Sequence, residues 1–374
     1  MNLTAAQHLK FKLFAHGLSI GSRALSVLTV ATRGMALSSD DFASTSGIIL
    51  RLEGGVWVNA PISAFNPNFV HDSVYELDHD SDGFFVRAGS IDVRAQFWPQ
   101  PAYHGSTGTD GRPLTDYVVT HGDRARLSPL HGCGMVCTFC DVPYGVRYAT
   151  KRIPVMIEAL QCAFSDPIQP AHHLLISGGT PREADFPWLQ EVYRTVLTTF
   201  PTIDVDIMMV PSPGLLDVAE LQRCGVHQLS INLELYSDEA AKKYMPQKFR
   251  QGRGNYLDFI EKATEKLGPG CVRSMLMVGL EPPEQTLMGV RSILERGGVP
   301  VLSPFRPDPT TPLRSMPPPC AELLLDTFLR ASELAEVHGA ALGPSCVPCT
   351  HNTLTLPNHN GKVTDQLEHL PFLV

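Results

Sequence analysis

The sequence predicts an α/β protein, a full or partial (β/α) barrel of the TIM type with a small β-rich N-terminal extension. From residue 126 onward, short apolar runs alternate with stretches of helical periodicity, such as 186–196 and 287–294. This alternation predicts a parallel sheet with helices on its outer face. The 374 residues leave room for a barrel of about 250 residues and a further segment. The predicted strands are 126–130, 173–177, 203–210, 227–235, 272–279 and 299–303.

The N-terminal third differs in composition from the barrel region. It is rich in Gly, Pro, Asp and His between residues 40 and 120, and a turn motif at 80–83 predicts a hairpin. The predicted strands of this part are 48–52, 56–59 and 84–93. We expect three parts: an N-terminal helix and β-rich cap (1–120), the barrel core (121–315), and a C-terminal helix (321–337) with a Cys-x-x-Cys-x-His tail (316–374).

Composition excludes several classes of protein. The formal net charge is −8 with no dense Lys/Arg run, so we do not expect a nucleic-acid partner. Nine cysteines, mostly single in apolar runs, argue against a disulfide framework and indicate a reducing, cytoplasmic compartment. Residues 1–39 are basic, as in targeting segments, but His16 and Arg23 interrupt any apolar core, so we expect an N-terminal helix. No stretch approaches the ~20 apolar residues that span a bilayer, so we expect no membrane contact.

Three cysteines follow the first predicted barrel strand with the spacing CxxxCxxC: Cys133, Cys137 and Cys140. Three thiolates on one loop can bind three irons of a 4Fe-4S cluster and leave the fourth iron open to a chelating ligand. Zinc is an alternative, with His131 as a further ligand, and buried structural cysteines are a third possibility.

This spacing, with the aromatic Phe139 before the last cysteine, resembles the signature of the radical S-adenosylmethionine (SAM) superfamily over roughly residues 120–315. The resemblance is to biotin-synthase-like barrels. It implies a 4Fe-4S cluster at the three cysteines and Phe139 near the adenine of SAM. It also implies reductive cleavage of SAM to a 5'-deoxyadenosyl radical that abstracts hydrogen from a small-molecule substrate, with electrons from a flavodoxin or ferredoxin-type reductant. A role in biosynthesis follows from the same analogy.

The second predicted barrel strand runs into Ser177, Gly178, Gly179 and Thr180. Two glycines at the carboxyl end of a strand let the backbone approach a ligand closely, although an ordinary turn would look the same. The run resembles the GGE-type motif that holds the amino group of SAM. Because Thr180 replaces the usual acid, we expect its contact to come from the backbone or the hydroxyl.

On the fourth predicted strand, alternation places Ser230, Asn232 and Glu234 on one face, which we expect to point into the barrel. Burial of three polar groups is costly without partners, so either a ligand or an internal hydrogen-bond network should satisfy them. The Asn-x-acid pair resembles the ribose-binding pair of biotin-synthase-like enzymes. The resemblance therefore implies that these residues bind SAM.

The fifth predicted strand is similar to the GxIxGxxE strand of the family, whose backbone contacts adenine, and it implies contacts from Met277 and Gly279. The match is partial because the acid is displaced to Glu281. Arg273 is a candidate to bind a carboxylate, since guanidinium pairs bidentately with such groups, and a structural ion pair is the alternative.

Candidate substrate residues are Arg306, on the loop after the sixth strand, and Cys346, Cys349 and His351 in the tail. The tail follows the last long helix, from which it could return across the barrel mouth as a closing segment. A metal site, a redox pair and simple packing are alternatives.

Two other functions share the cysteine triplet. One is a sulfur-inserting or methylthiolating radical SAM enzyme with an auxiliary cluster. The other is a non-catalytic iron-sulfur or zinc sensor, which would not need the glycine and Asn/Glu positions.

Overall fold

The computed structural model describes residues 2–31, 47–63, 66, 73–98 and 100–357. Two helices and a six-stranded sheet form the N-terminal part, in strand order β1-β4-β5-β6-β2-β3. All neighbouring strands in it are antiparallel except β1 and β4. The elements are α1 (Ala5–His16), β1 (Ser19–Ile20), α2 (Ser22–Ala31), β2 (Gly47–Leu52), β3 (Val56–Pro61), β4 (Tyr75–Asp80), β5 (Gly83–Ala88) and β6 (Ile91–Phe97).

The hairpin predicted at 80–83 is confirmed, because Asp80 pairs with Gly83 at the junction of β4 and β5. The single strand predicted at 84–93 is wrong. A second turn at Gly89, which has φ 69°, divides this stretch into β5 and β6. A positive φ is accessible to glycine without steric cost, so the chain can reverse there.

The second sheet is a partial barrel, as the alternation of strands and helices predicted. Its strand order is β15-β14-β13-β12-β11-β8-β7; β8 to β15 are parallel, and β7 runs antiparallel at one edge. The strands are β7 (Val118–His121), β8 (Arg124–Leu127), β9 (Leu130–His131), β10 (Ala149–Thr150), β11 (His173–Ile176), β12 (Asp204–Met208), β13 (Gln228–Ser230), β14 (Val272–Val278) and β15 (Val299–Pro304), with β9 and β10 forming a separate ribbon.

Helices accompany this sheet, and several of them pack on its outer face. They are α3 (Val142–Gly145), α4 (Ile153–Phe164), α5 (Phe186–Thr199), α6 (Val218–Arg223), α7 (Asp238–Tyr244), α8 (Pro246–Gln251), α9 (Arg253–Leu267), α10 (Pro283–Leu294) and α11 (Ala321–Val337). On β14, Leu276 and Val278 are buried in the core with α10, and a side chain at Gly289 would meet Leu276 at 3.0 Å. Burial of each such side chain contributes about 1.5–3 kcal/mol. Among the described residues, no helix combines the length and apolar character needed to cross a bilayer.

The strand predicted at 227–235 is too long. Regular pairing in β13 ends at Ser230, and Glu234 adopts φ 67° and forms only an isolated bridge with Leu276. A positive φ in a residue other than glycine costs energy and marks a site where surrounding contacts hold the backbone.

The segment 343–356, called the tail segment below, lies along the open side of the barrel between β15 and β7. Gly343 N donates to Pro300 O and Leu354 N to Leu302 O, both at 2.9 Å, while Pro348 lies against Gly122 after β7. The expected closure over the barrel mouth is therefore wrong. The tail segment fills a side wall and reaches the amino ends of the strands.

Candidate functional site

The cysteine loop lies at the carboxyl end of the barrel strands, between β9 and α3. Cys133 Sγ accepts from the backbone N of Thr180 at 3.1 Å and of Met135 at 3.3 Å. Burial raises the pKa of Cys137 to about 11 and that of Cys140 further still. Buried thiols of this kind become thiolates when a metal cation replaces the proton. The donor set therefore fits an iron-sulfur cluster.

The glycines at the end of β11 pack against this loop. A side chain at Gly179 would lie 1.9 Å from Gly132 O, and Gly134 N donates to Thr180 O at 2.8 Å. Gly178 has φ 145°, and Ser177 N donates to Leu127 O on β8. The run thus brings two neighbouring strand ends into backbone contact, with the Thr180 amide on a cysteine sulfur.

Glu234 lies near this loop, and only one of its two carboxylate oxygens has a partner among the described residues. Its Oε1 pairs with Lys248 Nζ at 3.1 Å, and its Oε2 is buried without a hydrogen-bond partner among the described residues. Burial would lower the pKa of Lys248, but the Glu234 carboxylate raises it. Lys248 comes from α8 and was not predicted, because nothing in its local sequence distinguishes it from a surface lysine. An unpartnered buried carboxylate oxygen can accept a ligand hydroxyl.

Ser230 and Asn232 satisfy each other. Ser230 Oγ donates to Asn232 Oδ1 at 2.8 Å, and Met275 N donates to the same oxygen at 3.2 Å. These contacts favour the internal hydrogen-bond network for this pair.

Apolar side chains surround the loop on its other side. One apolar cluster here includes the buried side chains of Tyr244 and Phe305. Three partly buried side chains pack against it, those of Cys137, Phe139 and Met277. Gly279 has φ 111°, and Pro319 would clash with any side chain there. This is a suitable surface for a flat aromatic ring.

Glu281, the displaced acid of the family motif, faces away from this apolar surface. Its carboxylate accepts from the backbone N of Tyr236 and Ser237 and from Thr286 Oγ1. Ser237 is the N-cap of α7, so Glu281 stabilises the start of a helix.

Arg273 lies at the amino end of β14, at the opposite end of the strand from Met277. Its guanidinium pairs with Asp206 at 2.7 Å and donates to Gln228 Oε1 at 2.6 Å. The structure therefore favours the ion pair, which was the alternative, over contact with SAM.

Arg306 is buried and is held by protein groups. It donates to Asn59 O at 3.1 Å and to Asn352 Oδ1 at 3.0 Å, with Phe14 5.2 Å from its guanidinium carbon. These partners tie it to β3, α1 and the tail segment rather than to the barrel mouth.

The tail residues separate into two environments. Cys346 and Cys349 meet Asp123 and His173 at the amino ends of β8 and β11. His351 is not part of that group. It is fully buried, with its Nδ1 2.5 Å from Pro348 O.

Four nitrogen-bearing side chains of the barrel interior were not predicted as a group: Arg124, Arg126, His121 and His351. His121 and His351 are buried, and Arg124 and Arg126 are half-buried. In each of the four, one buried nitrogen (Nε of the arginines, Nε2 of the histidines) has no hydrogen-bond partner among the described residues. Burial, followed by Arg126 and His351, lowers the pKa of His121 well below its ordinary value. The ring centroids of His121 and His351 lie 6.5 Å apart, and His121 of β7 is paired with Arg124 of β8. We call the four residues the lumen cluster. The alternation of β8, which directs Arg124 and Arg126 inward, was the signal that could have identified them.

His131, the further ligand of the zinc alternative, lies 3.1 Å from the guanidinium of Arg112 through its Nε2. It is engaged outside the cysteine loop, which disfavours zinc at the triplet.

The sequence comparison with protein families agrees with this arrangement of the cysteine loop. A sequence model of the Radical SAM superfamily matches residues 127–289. No curated protein matches the chain. Two solved structures of the [FeFe]-hydrogenase maturase HydG are similar. One, from Carboxydothermus hydrogenoformans, has 16% identity and a TM-score of 0.35 over 45% of this chain and 39% of that one. The other has 13% identity and a TM-score of 0.44 over 59% and 51%.

The chain thus spans about half or less of the length of these two maturase chains. The family match begins at the last residue of β8, covers the cysteine loop and continues along the barrel into α10. By sequence, residues 127–289 therefore correspond to a Radical SAM superfamily domain.

Proposed function

We propose that Cys133, Cys137 and Cys140 hold a 4Fe-4S cluster at which SAM is cleaved reductively. The chemistry supplied there is one-electron cleavage of SAM to methionine and a 5'-deoxyadenosyl radical, which abstracts hydrogen from the substrate. The observation that carries this proposal is the contact of Thr180 N with Cys133 Sγ. It joins the cysteine loop to the glycine turn of the adjacent strand, as a shared site for cluster and SAM requires.

The chain's own residues then have distinct roles toward SAM. The unpartnered Oε2 of Glu234 would accept a ribose hydroxyl, while Lys248 pairs with its other oxygen, Oε1. Phe139, Met277 and the Gly279 backbone bound the adenine. The amino group of SAM lies at the Ser177 to Thr180 turn. Ser230 and Asn232 act as positioning residues, since they hold β13 against β14.

We infer that the substrate is a small molecule with an anionic group, such as a carboxylate or a phosphate. The lumen cluster supports this class, because its two guanidinium groups each carry a buried Nε without a partner among the described residues, and an anionic ligand would satisfy these donors. Arg126 lies closest to the chemistry, as Asp141 and Cys140 both raise its pKa against the lowering by burial. A guanidinium there would orient the substrate by bidentate hydrogen bonds.

A flavodoxin or ferredoxin-type reductant, a cytoplasmic location and a biosynthetic role remain parts of this proposal. A sulfur-inserting enzyme with an auxiliary 4Fe-4S cluster has less support. At Cys346 and Cys349, the nearest other donors among the described residues are a carboxylate and an imidazole rather than sulfur.

The triple variant C133A/C137A/C140A tests the cluster assignment. After anaerobic reconstitution we expect about four irons per chain in the wild type and a loss of nearly all of them in the variant. Reductive formation of 5'-deoxyadenosine should be abolished with the iron. Iron analysis and chromatography of the SAM products measure both quantities.

The matched control is C162A/C224A/C320A, which removes three cysteines that lie on or at the ends of helices. It should keep four irons and full SAM cleavage. Retention of SAM cleavage by the first variant, or its loss in the control, would overturn the assignment.

A further inference from the structure

Four side chains from three separated segments meet at the amino ends of β8 and β11. Asp123 lies in the turn before β8, His173 is the first residue of β11, and Cys346 and Cys349 come from the tail segment. Each offers one ligand atom, and these four atoms all lie within 4.8 Å of one another. This place is opposite to the Cys133 loop, which follows the carboxyl end of β8.

The individual distances suit one small cation. His173 Nε2 is 3.2 Å from Cys349 Sγ, and Cys346 Sγ is 3.6 Å from Asp123 Oδ1. Tetrahedral zinc with bonds of about 2.0–2.3 Å places its ligand atoms roughly 3.4–3.8 Å apart. The four donors therefore need only small side-chain adjustments to share an ion.

We propose that Asp123, His173, Cys346 and Cys349 bind a structural Zn²⁺ ion. Two thiolates, one imidazole and one carboxylate complete a four-coordinate set without an open position, as in structural zinc sites. An iron-sulfur cluster prefers more sulfur than the two thiolates this group supplies.

The charge of the surroundings agrees with an ion of this kind. Zn²⁺ with two thiolates, one carboxylate and a neutral imidazole carries a net charge of −1. Arg124 follows Asp123 in the chain and is buried beside the same cysteines, so it neutralises this charge. Charged or polar groups that contact the ligands from outside are typical of metal sites.

The role of the ion follows from the position of the tail segment. It would fasten residues 346–349 to strands more than 170 residues earlier, His173 and Cys349 being 176 positions apart. Cross-linking such distant segments reduces the entropy of the unfolded chain. The ion would thus hold the side wall of the barrel in place and would take no part in SAM cleavage.

Zinc content tests this proposal independently of the SAM site. Protein is isolated from zinc-supplemented cells without reconstitution and analysed by mass spectrometry for zinc and iron. We expect about one zinc per chain in the wild type and in C133A/C137A/C140A. In C346S/C349S the zinc content should fall roughly tenfold or more, and the tail segment should become more accessible to limited proteolysis.

Two further variants keep the test decisive. C224S/C320S, a matched pair of cysteines outside the group, should retain the zinc. Asp123→Asn preserves volume and should weaken zinc retention against a competing chelator by roughly tenfold even if C346S/C349S does not fold.

Three outcomes would overturn the site. The first is wild-type protein that holds no zinc and takes up none when Zn²⁺ is added. The second is a Cys346–Cys349 disulfide, found by mass spectrometry, in metal-free folded protein. The third is iron in place of zinc in the triple variant. Failure of the SAM-site assignment would instead leave one zinc per chain and no SAM cleavage.

Discussion

Arg126 is half-buried in the barrel interior, and its Nε has no hydrogen-bond partner among the described residues. It shares the barrel interior with Arg124 and His121, and burial lowers its pKa. Replacement of a buried, poorly paired charge by an apolar side chain of similar volume is often neutral or stabilising. A position of this kind is retained for binding rather than for stability.

The variant R126M tests whether this cation binds substrate. We expect its melting temperature to equal or exceed that of the wild type, with SAM affinity unchanged. The test ligands are inorganic phosphate and a series of carboxylic acids. Their effect on the melting temperature is measured by thermal shift on cluster-loaded protein in the presence of SAM. Any compound that stabilises the wild type should bind R126M about 10- to 100-fold more weakly, the loss of a charged hydrogen bond.

The matched control is R112M, which changes an exposed arginine beside His131. It should keep the wild-type ligand response. A parallel loss of SAM affinity in R126M would instead assign this guanidinium to the carboxylate of SAM, and the proposed substrate class would fail.

At the scale of single residues, the sequence identified candidate residues but not the long-range contacts that they make. The cysteines, the glycine turn and Glu234 could be identified, since local spacing defines them. Lys248 and the Asp206 partner of Arg273 could not, because both contacts join segments far apart in the chain. The lumen cluster could be identified only from the correct position of β8 in the sequence. The predicted strand 126–130 begins two residues later than β8 does.

At the scale of elements, α1 and the tail segment depend on each other. Lys10 of α1 is fully buried, and its Nζ donates to the carbonyls of Thr350 at 2.9 Å and Thr355 at 2.6 Å. Burial, and then the nearby Arg306, lowers the pKa of Lys10 well below its ordinary value. These hydrogen bonds therefore satisfy two carbonyls of a segment that has few backbone partners of its own.

The variant K10M should loosen this junction. Loss of the ammonium leaves two buried carbonyls without a donor, so we expect the free energy of unfolding to fall by ~1–3 kcal/mol. Urea denaturation followed by circular dichroism measures the change. K12M is the matched control, because Lys12 lies on the same helix and is exposed, and it should change stability by less than about 0.5 kcal/mol. Equal effects in the two variants would refute the anchoring role.

At the scale of the whole molecule, Arg306 joins the two sheets. Arg306 follows β15, and its guanidinium donates to Asn59 O of β3 and to Asn352 Oδ1 of the tail segment. Burial lowers its pKa to about 9, a cost that its hydrogen bonds offset only in part. The N-terminal sheet and the barrel should therefore unfold together.

The variant R306M tests this coupling. We expect stability to fall by ~2–3 kcal/mol, as two charge-assisted hydrogen bonds are lost. Trp57 and Trp98 pack together beside the N-terminal sheet and Trp188 lies on α5, so fluorescence and circular dichroism weight the two parts differently. The two signals should coincide in the wild type and separate in R306M. R250M, at an exposed position of α8, is the control. Coincident transitions in R306M would show that other contacts couple the sheets.

The overall architecture was accessible from the sequence because hydrophobic periodicity is local. The partial barrel and the helix Ala321–Val337 were predicted from it. The position of the tail segment was not, because Cys-x-x-Cys-x-His suggested ligands that lie together in sequence. In space, Asp123 and His173 replace His351 beside the two cysteines, and only long-range folding brings them there.

The side wall formed by residues 343–356 has a consequence for the order of events during synthesis. Lys10 and Thr355 are 345 positions apart, yet they are in direct contact. A ribosome delivers the whole barrel before this segment emerges, so a nascent chain exposes its polar interior throughout that interval. Contacts of such long range also slow folding. We therefore expect chaperones to protect the growing chain until residues 343–356 have packed onto the barrel. Metal loading should then be a late step in the maturation of the protein.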